Sequence, residues 1–127
     1  MAAIVSYRDL DVYRAAFRLQ QEIYSASKLW PREERYALTD QVRRASRSVG
    51  ANLAEAWQKR RYEAHFVSKL TDADAELNET RHWIDTARAC GYIGAEAHQA
   101  LLRDANVIGK QVGAMIRDAS SWCRSKG

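Results

Sequence analysis

The sequence predicts an all-α fold: an antiparallel up-down-up-down four-helix bundle forming a single domain over residues 1–127. Three observations lead there. Apolar residues recur in alternating steps of four and three along four long segments, which puts each set on one stripe of a helix. Ala, Leu, Arg, Glu and Gln, all good helix formers, make up much of the chain, and β-branched residues are sparse. No comparable stretch alternates with period two, as a half-buried strand would.

The first helix is expected at about residues 8–29, with Val12, Ala16, Leu19, Ile23, Ala26 and Trp30 on its stripe. Pro31, the single proline, follows that stripe. There it ends one helix and suits the first turn of the next. The second helix, at about 32–59, carries Leu38, Val42, Ala45, Val49, Asn52 and Ala56, with Glu33 and Glu34 near its N-terminus, where the dipole favours negative charge. The turn that follows, at about 59–62, contains neither Gly nor Pro. The third helix, at about 62–90, carries Phe66, Leu70, Ala73, Leu77, Thr80, Ile84 and Ala87. Gly91 then fits the residue after a helix C-cap, and Gly94 precedes the last helix. That helix, at about 95–123, carries Leu101, Ala105, Ile108, Val112, Met115, Ala119 and Trp122. Short connections make neighbouring helices antiparallel. A repeat near 3.5 residues suits shallow left-handed packing.

Composition excludes several classes. With 46% hydrophobic and 28% charged residues, the chain has the usage of a globular protein and not of a disordered one. No apolar run approaches the ~18 residues that span a bilayer. Met1 to Asp9 lacks a basic region followed by a long apolar stretch, so no signal peptide is expected and the chain reads as cytoplasmic. In that compartment Cys90 and Cys123, which show no paired spacing, are expected to be reduced thiols. His65, His82 and His98 are isolated, which gives no metal-ligand spacing. Neither a Gly-rich phosphate loop nor a nucleophile elbow is present, so neither a cofactor nor catalysis is expected. The acids Asp72, Asp74, Glu76 and Glu79 fan over a wide arc of the third helix and read as a solvated face.

The charge is unevenly distributed. Residues 41–61 hold six basic residues, Arg43, Arg44, Arg47, Lys59, Arg60 and Arg61, against the single acid Glu55, a local balance of +5. Residues 62–85 have a balance of −4. In one reading the basic helix pairs with the acidic one, within a subunit or between subunits. In the other, Arg43, Arg44 and Arg47 form a phosphate-binding patch that Lys59, Arg60 and Arg61 extend, because the arginine fork donates two hydrogen bonds to one anion. Two further features stand out. Asn52 falls in the seam where an apolar residue belongs, with Glu55 leaning inward beside it, a polar motif that reads first as structural. Tyr13, Phe17 and Tyr24 form a second apolar edge on the first helix, either a widened core stripe or a subunit interface.

Three runs carry a resemblance. Asp9-Leu10-Asp11-Val12-Tyr13 is one, and the stretch from Pro31 to Ala45, with Leu38-Thr39-Asp40-Gln41-Val42-Arg43-Arg44-Ala45 at its end, is the second. Ser48 with Asn52-Leu53-Ala54-Glu55 is the third, and Cys90-Gly91-Tyr92-Ile93 extends the match toward the last helix. Together these resemble the 23S ribosomal RNA intervening-sequence protein family of four-helix proteins, some of them encoded inside insertions in bacterial large-subunit ribosomal RNA genes. That family is similar in turn to the accessory variability determinant of diversity-generating retroelements. The resemblance implies a homopentamer with a central channel and an association with RNA or DNA. It also implies a reverse transcriptase or other enzyme as a possible protein partner, with Arg43 and Arg44, then Arg47, Arg60 and Arg61, as the basic stretch. Gly50 and Ala56 depart from the pattern, standing where the family often has proline and glycine.

Overall fold

The computed structural model describes residues 3–123, and among these every regular element is helical. The outermost limits of the expected domain, residues 1–2 and 124–127, lie outside the described residues. Helix α1 spans Asp11–Ser27, α2 Asp40–Gln58, α3 Glu63–Ala89, α4 Ala95–Arg117 and α5 Ala119–Cys123. Helix α1 packs on α2, α2 on α3, α3 on α4, and α4 back on α1, so four long helices enclose one core.

The third stripe is buried as spaced, and the fourth as far as Ala119, with Trp122 half-buried. Phe66, Leu70, Ala73, Leu77, Thr80, Ile84 and Ala87 are all sealed from solvent, as are Leu101, Ala105, Ile108, Val112, Met115 and Ala119. The first two stripes depart from strict heptads, and Trp30, expected on the first, lies beyond the end of α1 and is half-buried. In α1 the buried series runs Ala16, Leu19, Ile23, Ser27, so Ser27 and not Ala26 faces the core. In α2 it runs Val42, Ala45, Val49, Leu53, and Leu53 takes the place expected of Asn52. Both slips replace a step of three with a step of four. A 3.6-residue helix falls ~20° short of two turns over a heptad and overshoots three turns by ~20° over the 11 residues of a three-four-four run, so the extra step of four offsets the heptad drift.

Boundaries differ from the expected ones for local reasons. The chain enters α1 through a 3₁₀ turn at Tyr7–Asp9 with a capping box, in which Ser6 Oγ accepts from the Arg8 N–H and the Asp9 carboxylate accepts from the Val5 and Ser6 N–H groups. Those backbone donors hold the Asp9 carboxyl below its ordinary range. After Pro31 the first turns of the expected second helix are not α-helical: Arg32–Glu34 is 3₁₀ and Arg35–Thr39 is a π-helix. A tight turn followed by a wide one still delivers Leu38 to the core, 2% exposed. The last expected helix breaks at Asp118. The bend turns α5 onto α3 and sets Trp122 edge-on to Trp57, with ring centroids 6.5 Å apart. Gly91 closes α3 with a positive φ of 80°, and the N–H groups of Gly91 and Tyr92 donate to Arg88 and Ala87, the Schellman pattern.

Candidate nucleic-acid interface

The six basic residues fall into three situations. Arg43 and Arg47 stand one turn apart on α2 beside Tyr24 of α1. Arg43 Nε donates to Ser27 Oγ at 2.8 Å, and its guanidinium carbon lies 4.7 Å from the Tyr24 ring centroid. Arg47 lies 5.7 Å and Lys28 Nζ 4.8 Å from the same ring. Three cations thus surround one phenol, and among the described residues neither arginine has a carboxylate within ion-pair distance. Ring quadrupoles hold cations without neutralising them, so the charge stays available to an anion.

Arg44 is turned the other way. It meets Glu79 of α3 at 2.6 Å and Glu76 at 3.6 Å, and Glu79 is steadied by the Trp83 indole N–H at 3.1 Å. Pairing of the basic helix with the acidic one is therefore realised at Arg44. A second α2–α3 pair has the opposite polarity: Glu55, on the exposed surface, accepts from Lys69 Nζ at 2.9 Å. The Glu55 carboxylate, then Asp72, raises the Lys69 pKa above its ordinary value. Glu55 does not lean inward, and Asn52 is half-buried, its amide donating to Ser48 O of its own helix at 2.9 Å. The motif is a surface pair and a local backbone bond, not a buried polar layer.

Lys59, Arg60 and Arg61 lie about 20 Å further along, at 1.5 Å per residue, so they form a separate group. Arg60 covers the Trp57 indole at 3.4 Å and donates from Nε to Trp57 O at 2.8 Å, closing the C-terminus of α2. Arg61 lies 5.8 Å from the Tyr62 ring, and Lys59 is exposed. Sequence reading missed Ser27, Tyr24 and Lys28 as partners of the patch. Tyr24 and Lys28 are four apart in sequence and so share a face of α1, which was the available signal.

Between these side chains runs an open groove of about 430 Å³, lined by Arg43, Arg44, Arg47, Ser48 and Ala51, with Asp40 at one end. Beside it lies a cleft of about 310 Å³ whose walls are Tyr7, Tyr13, Phe17 and Gln20 and whose floor is Gly50 and Ala54. Arg47 and Ala51 line both. Among the described residues no group of His, Cys, Asp and Glu is placed to hold a metal ion, and no helix is long and apolar enough to cross a membrane.

Residues 8–114, which include all six cations, match the family model described as 23S rRNA-intervening sequence protein. The chain belongs to that family. A solved structure from Bacteroides thetaiotaomicron, described as a protein of unknown function from the S23 ribosomal protein family, is similar at 28% identity and a TM-score of 0.76. The match covers 84% of this chain and 98% of that one. No curated protein is significantly similar. The family match ends within α4, so α5 and its Trp122–Trp57 contact lie beyond it.

Proposed function

We propose that this family member is a non-enzymatic, cytoplasmic bundle protein that runs up-down-up-down, assembles as a homopentamer and binds RNA or DNA through phosphate contacts on α2. The observation that carries the reading is the state of Arg43 and Arg47: Arg43 is held over Tyr24 by its bond to Ser27, Arg47 stands exposed 5.7 Å from the same ring, and among the described residues neither has a carboxylate within ion-pair distance. An arginine held as Arg43 is loses little side-chain entropy when an anion arrives, and the guanidinium fork matches phosphate oxygens. Such contacts give little base specificity and strong salt dependence.

The test is fluorescence anisotropy of the purified protein against labelled RNA and DNA over a range of salt. Arg43→Gln with Arg47→Gln is the informative variant. Arg44 is left in place, because Arg44→Glu would set a third carboxylate beside Glu76 and Glu79. Two lost contacts reduce the slope of log K against log salt by about 1.4 to 1.8. An unchanged slope refutes the assignment of the patch. If the wild-type protein binds no nucleic acid even at low salt, a scaffold that recruits a protein partner, such as a reverse transcriptase, replaces this reading.

A further inference from the structure

The phosphate groove does not end at Arg47. On the far side of that residue lies the aromatic cleft, and the two share Arg47 and Ala51 as a common edge. Tyr7 stands edge-on to Tyr13, centroids 4.8 Å apart at 77°, which fixes the Tyr13 ring. Phe17 follows at 6.3 Å and is 46% exposed, an open aromatic face on a helix whose large aliphatic residues Val12, Leu19 and Ile23 are buried. Gly50 keeps the floor low: a Cβ there lies 3.5 Å from Tyr13 Cε1, and a longer side chain would occupy the cleft. The Gln20 carboxamide, 3.8 Å from the same point, brings both a donor and an acceptor to the rim.

Cations without carboxylate partners along one side and an open aromatic face beside them are what a single nucleic-acid strand needs, phosphates on the first and unpaired bases on the second. A duplex offers no such match, since its base faces are covered by their neighbours. A partner helix fits poorly too. It would need several anchors spaced along a longer groove, and this cleft is interrupted by Arg47, whose charge such a partner would have to desolvate.

We propose that the Tyr13–Phe17 cleft is a base-stacking subsite for single-stranded nucleic acid, set beside the Arg43–Arg47 phosphate groove. This rests on the nucleic-acid reading above and specifies its ligand.

The experiment compares three labelled probes by anisotropy: an unstructured oligonucleotide, the same strand carrying abasic sites, and its fully paired duplex. Wild-type protein binds the intact strand ~5- to 150-fold more tightly than the abasic one, the range of one stacked base. Phe17→Ala removes that ratio and leaves duplex and abasic binding unchanged. Ala54→Leu, which fills the cleft without excavating the core, has the same effect. Equal wild-type affinity for intact and abasic strands overturns the subsite while leaving the phosphate groove standing, and so does a ratio that survives both variants. A change in sedimentation of either variant overturns it in another way, by assigning the cleft to contact between copies of the chain. Failure to bind any probe overturns both readings together.

Discussion

Leu53 and Asn52 compete for one place in the α2 seam, and their replacement decides between the heptad and the structure. Leu53 is 1% exposed, whereas Asn52 is half-buried and spends its amide on Ser48 O within the same helix. Leu53→Ala removes a fully buried side chain and leaves a cavity, a loss of about 2–5 kcal/mol. At about 4 °C per kcal/mol for a domain of this length, the melting temperature falls by roughly 8–20 °C. Asn52→Ala loses one local hydrogen bond worth about 0.5–1.5 kcal/mol and gains up to about 0.7 kcal/mol of helix propensity, so its net effect stays within about 1 kcal/mol. Urea denaturation of both variants, followed by the helical circular dichroism signal, measures the difference, with an unchanged m-value as the check on two-state behaviour. A larger loss for Asn52→Ala than for Leu53→Ala would refute the 11-residue register and restore a buried amide to the seam.

Two further outcomes are open to measurement. Tyr92 donates to Glu34 at 2.6 Å across the 58 residues that separate them, and this bond, with burial and the charge of Glu34, pushes its pKa up from 10.0 to about 12. The folded state therefore keeps a proton that the unfolded chain releases near 10, and the bond's contribution is lost as pH rises from about 10 to about 12. Tyrosinate absorbance of wild type minus Tyr92→Phe is expected to show the late-titrating tyrosine, and a difference curve centred at 10 contradicts the contact. For the thiols, Cys90 is exposed, whereas burial, then the nearby Glu63 charge, raises the Cys123 pKa. Maleimide is expected to label Cys123→Ser, through Cys90, faster than it labels Cys90→Ser, through Cys123. Equal rates contradict that placement.

Periodicity made the helical class, the α3 and α4 stripes and the turn at Gly91 legible from residue order alone, because each depends on local geometry that repeats along one helix. The basic stretch of α2 was equally plain as a count of charges. Which of those charges remain free was not. Arg44 is tied to Glu76 and Glu79, Arg60 is folded onto Trp57, and Arg43 is held by Ser27 and Tyr24. Each of these pairings except Arg60 with Trp57 joins different helices, and a partner on another helix leaves no trace in local spacing. The switch from Asn52 to Leu53 and from Ala26 to Ser27 has the same origin: the helix keeps 3.6 residues per turn, and packing against its neighbours selects where the heptad gives way. Sequence determined which faces are apolar and how much charge each helix carries. Only the packed structure decided which arginines remain available and that an aromatic cleft lies beside them, because both depend on how α1 meets α2.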